Sequence, residues 1–183
     1  GVKTGDLVAG NPGGGCGVCA YCGRGRENLC RGPGGGAMGY VIPGAYAEYV
    51  TMPERCAVVL PPGTDLQATA LTEPFAVARH ALVQGAYRPD EVLAIAGAGP
   101  IGLLTVIAAR QMGAAQIIVS EPLEGRRRAA IDAGATHVVE PGALVQTAYA
   151  LTEGIGAPIS VDCSGMPAGP KSCVSTMPPG VKR

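Results

Sequence analysis

Charge is scarce in this chain and carries no net sign. Only 15% of its 183 residues are Asp, Glu, Lys or Arg, and 14 basic residues balance 14 acidic ones. No basic field is present to draw in nucleic acid or an anionic membrane surface. Long apolar runs are also missing. The longest, around Leu93 to Ala109, is broken by Gly97, Gly99, Pro100 and Gly102 and falls short of a membrane span. Gly1 to Gly10 lacks the apolar core and charged start of a signal peptide. Residues 1–60 show no helical period, since their short apolar pieces are separated by Gly and Pro. What remains is 47% hydrophobic, a globular composition with enough length to bury a core.

Glycine is where the sequence is rich. Its 29 glycines concentrate at two places, and the first also holds Cys16, Cys19, Cys22 and Cys30. The spacing C-x2-C-x2-C-x7-C lets four thiolates converge on one tetrahedral Zn²⁺, with Zn–S near roughly 2.3 Å. Gly13, Gly14, Gly15, Gly17, Gly23 and Gly25 let the short spacers double back. With four ligands the site is closed and structural. A zinc ion held by four thiolates is formally about −2, and Arg24, Arg26 and Arg31 lie in or beside the loop. A disulfide cluster or free thiols are the competing reading, but the clustering is that of metal ligands. Seven cysteines without an export signal suit a reducing compartment, so a cytoplasmic location is expected. Cys56 and Cys163 lie in apolar stretches and read as buried thiols.

The coarse pattern changes along the chain. Residues 1–60 are β- and loop-rich, with Ala45 to Val50 expected as a strand from its aromatic and β-branched content. Thr64 or Asp65 caps a helix, Glu73-Pro74 restarts one, and Gly85 stops it. This is expected to be a linker helix, which gives domains at residues 1–86 and 87–183. From Glu91 onward strands and helices alternate, and Val92 to Ala96 is a fully apolar strand. The expectation is a doubly wound α/β sheet of order 3-2-1-4.

Gly97-Ala98-Gly99-Pro100-Ile101-Gly102 is a G-x-G-x-x-G that follows this strand and opens a helix. That context marks a dinucleotide turn, with the pyrophosphate at the helix N-terminus. Glu121 ends the next strand, where an acid reaches the ribose hydroxyls and repels the 2′-phosphate of NADP. NAD is therefore the expected cofactor. Arg126, Arg127 and Arg128 follow: one of them faces the adenine or a phosphate, or they form a solvated helix face. Glu73 is a helix-start carboxylate on dipole grounds alone. His80 and His137 are poor ligand candidates, and Asp162 is a local acceptor or a cofactor-side residue.

The segments Gly15-Cys16-Gly17-Val18-Cys19-Ala20-Tyr21-Cys22 and Asn28-Leu29-Cys30 resemble the structural-zinc lobe of medium-chain zinc-dependent alcohol and polyol dehydrogenases. The resemblance runs along nearly the whole chain and weakens after Gly165. It implies a partial GroES-like catalytic domain followed by a partial Rossmann domain. It also implies that Glu73, in Leu71-Thr72-Glu73-Pro74-Phe75, offers its carboxylate to a catalytic zinc in the cleft between domains, and that Ser164 and Gly165 run close to the nicotinamide. Arg126 is expected on the cofactor side. The family's other catalytic-zinc ligands have no match here. The chain is expected to be an internal piece of a longer protein, inactive alone, whose intact parent is a homo-oligomer acting on an alcohol, diol or polyol. Two alternatives stay open: a non-catalytic dinucleotide-binding zinc protein, and a zinc-independent reductase of the same superfamily.

Overall fold

Two short antiparallel pairs hold the glycine-rich first part of the chain together. In a computed structural model that describes residues 1–180, the first strands are β1 (Val8–Gly10), β2 (Gly13–Gly14), β3 (Gly36–Ala37) and β4 (Ala57–Val59). β1 pairs with β4, Val8 opposite Val59, and β2 pairs with β3. The second pair closes the base of the loop that carries Cys16 to Cys30. Cys56 is buried, and its carbonyl accepts from Asn11 N–H at 2.7 Å. These strands belong to the first of two compact units, Gly1–Thr72; the second begins at Glu73.

Ala45 to Val50 is not a strand. It runs as bends without a ladder partner among the described residues, and Tyr46 and Tyr49 point into solvent. Aromatic and β-branched content favours a strand only where a neighbour supplies hydrogen bonds and a surface to pack on. Asp65 does cap α1 (Leu66–Thr69): its carboxylate accepts from Gln67 N–H at 2.8 Å and Ala68 N–H at 3.4 Å.

The second unit opens inside the first turn of α2 (Thr72–Gln84). The helix begins at Thr72, one residue ahead of the expected Glu73-Pro74 start. Its Leu82 is fully buried in the same core as Leu93, Ile95 and Val106. The helix stops at Gly85, as expected. Ala86 after it takes the left-handed conformation (φ 51°), while Tyr87 N–H reaches back to Leu82 O at 3.0 Å. Burial of Tyr87 against the core fixes the reversal there.

The rest alternates as read from the sequence: β5 (Val92–Ala96), α3 (Pro100–Gln111), β6 (Gln116–Ser120), α4 (Glu124–Asp132), β7 (His137–Val139), α5 (Leu144–Leu151) and β8 (Ile159–Asp162). A further helix, α6 (Ala168–Thr176), was not expected. All four strands are parallel in the order β7-β6-β5-β8, the first four positions of a doubly wound sheet. Side chains alternate across β5. Leu93 and Ile95 join Val106, Ala109 and Ala130 on one face, while Ala94 and Ala96 join Ile118, Leu144, Ala148 and Cys173 on the other. With both faces covered, each buried Leu or Ile contributes about 1.5–3 kcal/mol. Cys163, expected to be buried, is only half-buried, because it lies past the end of β8. Residues 181–183 lie outside the described residues.

Candidate functional site

The four cysteines of the loop converge. All four Sγ atoms lie within 4.8 Å of one another, and no other His, Cys, Asp or Glu cluster of three or more is found among the described residues. Cys19 and Cys22 are 3.5 Å apart, Cys19 and Cys30 3.9 Å, and Cys16 and Cys22 4.0 Å. A tetrahedron with Zn–S of roughly 2.3 Å has edges of about 3.8 Å, so the donor set fits one zinc ion.

The loop backbone is built around this cluster. A short 3-10 turn, Cys22–Arg24, ends at Gly25. Backbone amides point at sulfur: Cys16 N–H donates to Cys30 Sγ at 3.2 Å, Cys19 N–H to Cys16 Sγ at 3.3 Å, and Gly32 N–H to Cys30 Sγ at 3.4 Å. Glycine is required here by crowding. A Cβ on Gly15 would lie 2.7 Å from Cys22 Sγ, and one on Gly32 or Gly35 would run into Cys16 or Cys30 Sγ.

The electrostatics point the same way. Backbone N–H groups, that of Cys22 first, lower the Cys19 thiol to about 6. Amides of Cys16 and Gly32 lower Cys30 too. Burial first, and then the neighbouring sulfurs, push Cys22 up to about 11. Crowded thiolates resist a full set of negative charges until a cation joins them. Arg24, Arg26 and Arg31 are exposed around the loop. Sequence reading missed Arg55, whose guanidinium donates to the Gly15 carbonyl. Forty residues separate the two, so no local pattern signals the contact.

The glycine turn lies between β5 and α3. Gly97 has φ 98°, and its N–H donates to Ser120 O at 2.7 Å. A Cβ there would lie 2.8 Å from the Cys163 carbonyl and Ser164 Cα. A Cβ on Gly102 would run into the Gly97 carbonyl. Gly99 is different: it caps α3, Pro100 and Ile101 follow, and a Cβ there meets nothing within 4 Å. The open side and the uncapped helix start leave first-turn amides, such as that of Ile101, for an anion.

Glu121 directly follows β6 and is buried. Its Oε2 accepts from Ala98 N–H at 2.8 Å and its Oε1 from Leu123 N–H at 3.0 Å. The three arginines separate into roles. Arg127 donates to the carbonyls of Glu121 at 2.9 Å and Pro122 at 2.6 Å, and Arg128 pairs with Glu124. Arg126 is exposed, on the first turn of α4. Asp162 Oδ1 accepts from the Ser164 hydroxyl at 2.7 Å and Ser164 N–H at 3.0 Å, and Gly165 turns with φ 64°. This brings Ser164 beside Gly97.

Glu73 is exposed in the first turn of α2 and belongs to no group of three or more candidate metal ligands among the described residues. His80 is exposed further along the same helix, and His137 Nδ1 lies 3.0 Å from Thr136 Oγ1.

Known proteins match both units. A family model described as an alcohol dehydrogenase GroES-like domain matches residues 1–62, and one described as zinc-binding dehydrogenase matches residues 100–181. Sorbitol dehydrogenase of Bacillus subtilis is 36% identical over 98% of this chain and 51% of its own length. A zinc-binding dehydrogenase of Sinorhizobium meliloti 1021, bound to NADP, is 31% identical with a TM-score of 0.84, over 99% of this chain and 57% of that one. An alcohol dehydrogenase of Escherichia coli CFT073, complexed with NADH, is 26% identical with a TM-score of 0.84, over 99% and 54%. The chain spans about half the length of the curated relatives it matches. It belongs to the zinc-dependent medium-chain alcohol and polyol dehydrogenase family.

Proposed function

We propose that this chain is the structural-zinc and cofactor-binding part of an oxidoreductase that moves hydride between a secondary alcohol, diol or polyol and NAD. The observation that carries the reading is the pairing, in one chain, of a tetrahedral four-cysteine set with an open glycine turn. Residues 1–86 act as the GroES-like part with its zinc lobe and linker helix, and residues 87–183 as the Rossmann part.

Cys16, Cys19, Cys22 and Cys30 hold a zinc that only maintains shape, because all four coordination positions come from protein. Gly97, Gly99, Pro100, Ile101 and Gly102 receive the pyrophosphate, and Arg126 faces the adenosine end. Ser164 and Gly165 run beside the nicotinamide. Bound NAD supplies the hydride acceptor, and the chain fixes its position and orientation. Glu73 is the acid this chain offers to a catalytic zinc. Among the described residues it joins no group of three or more candidate ligands, so they do not complete that second metal site. The alcohol substrate belongs to this proposal, supported by relatives named for sorbitol and xylulose. A homo-oligomeric assembly belongs to it on the family resemblance alone.

Two measurements test it. NADH titrated into the chain should show enhanced nicotinamide fluorescence that saturates, and ADP-ribose should reverse it. In the intact parent, Glu73→Ala should lower polyol turnover while the zinc of the four-cysteine loop stays bound. No NADH binding would remove the cofactor role. Full turnover by the variant would make Glu73 an ordinary helix-start residue.

A further inference from the structure

The Glu121 carboxylate is turned inward at the end of β6. It is 3% exposed, and each of its oxygens accepts one backbone N–H. The two donors belong to different connections. Ala98 is the second residue of the glycine turn after β5, and Leu123 is the cap of α4 after β6. The carboxylate therefore bridges two adjacent loops at the carboxyl edge of the sheet. The junction is tied twice more: Gly97 N–H donates to Ser120 O at 2.7 Å, and Arg127 holds the carbonyls of Glu121 and Pro122. Arg127 also approaches Glu140 at 3.6 Å.

We propose that Glu121 is a positioning residue of the nucleotide site, holding the Gly97–Gly102 turn in the shape that receives a pyrophosphate. The inference rests on the dinucleotide reading above and deepens it. A residue that only faces the ribose acts on the 2′ position, so its loss changes the ratio of NAD to NADP affinity. A residue that holds the turn acts on the pyrophosphate common to both, so its loss weakens both together. Charge-assisted hydrogen bonds from two amides are the stronger kind, and a Glu side chain is long enough to reach both loops.

The test uses Glu121→Gln and Glu121→Asp in the whole chain. Glutamine keeps the length, but its NH2 cannot accept, so one amide is left facing a donor. Aspartate keeps the charge and is one methylene short of spanning both loops. Dissociation constants for NADH, NADPH and 2′-deoxy-NAD are measured well below the melting temperature. All three should weaken about tenfold or more in both variants, the loss of one charge-assisted bond. Their ratios should stay unchanged in Glu121→Asp, which keeps the charge, and the ratio of NADH to 2′-deoxy-NAD should stay unchanged in both variants. A purely structural tie would lower the melting temperature and leave these constants alone, which overturns the positioning role.

Amide hydrogen exchange of the unliganded wild type gives a second readout. The Ala98 and Leu123 amides should be protected, and this readout does not depend on a variant folding. A loss confined to NADH, with NADPH binding gained and 2′-deoxy-NAD unaffected, overturns the proposal. Rapid exchange of both amides overturns it as well, while leaving the dinucleotide reading intact. Protected amides in a wild type that binds no dinucleotide would overturn that reading and reduce Glu121 to a structural tie.

Discussion

Cys19 Sγ and Cys22 Sγ lie 3.5 Å apart, each within 4.0 Å of another cysteine sulfur of the same loop. None of the four is in a disulfide. Four thiols this close suit a shared cation, because an ion at their centre removes the repulsion between thiolates. Elemental analysis of the purified chain should therefore find about one zinc per molecule. Cys19→Ser should lose it, and a strong chelator should lower the melting temperature of the wild type, since metal binding is linked to folding. Unchanged zinc content in the serine variant would rule out this ligand set.

Gly97 and Gly99 should separate stability from binding. Gly97→Ala forces a left-handed alanine whose Cβ lies 2.8 Å from the Cys163 backbone. Strain plus crowding should cost about 2–4 kcal/mol, read as a lower denaturant midpoint. Gly99→Ala meets nothing within 4 Å, and its φ of −73° suits any residue. Its stability should stay close to wild type while NADH binding falls, because the new methyl occupies the phosphate approach. A Gly99→Ala variant that binds NADH normally would place the pyrophosphate elsewhere.

The metal loop and the sheet order were legible because each is written locally. Ligand spacing places four sulfurs, and the fully apolar Val92–Ala96 run demands cover on both faces. What escaped depends on distant partners. Ala45 to Val50 has strand composition and no ladder. The contact of Arg55 with Gly15 spans forty residues. Glu121 sits where the motif predicts an acid, yet its bridge to Ala98 crosses 23 residues and is invisible to spacing. Helix α6 carries Gly169 and Pro170, which mask a helical pattern. Pro170 lies in the first turn, where its missing N–H does no harm. Gly169 packs against Asp162 and Ser164, where a side chain would not fit.

Ala86 is a local cost that the fold carries. It holds φ 51° on the surface, a conformation that costs an L-residue about 1–2 kcal/mol and glycine almost nothing. Ala86→Gly should therefore raise stability by about 0.5–1 kcal/mol, after the extra freedom of glycine in the unfolded chain is subtracted. Equilibrium urea unfolding measures it. A destabilised variant would mean that the left-handed turn is not held in solution.

Cys173 should set part of the alkaline limit of the fold. It is buried on α6 against β5, and burial first, then Asp162, pushes its thiol from an ordinary value near 9 up to about 11. The folded state therefore keeps a proton that the unfolded state releases above pH 9. Stability from this group is complete below pH 9 and is lost as the pH rises toward 11. A difference of that size corresponds to at most about 2–3 kcal/mol. Cys173→Ala removes the titrating group and fits a site already lined by Ala94, Ala96 and Ala148. Its melting temperature should fall less steeply than wild type between pH 9 and 11, whatever its starting value near neutral pH. Parallel slopes for the two proteins would show that the thiol does not stay protonated in the fold.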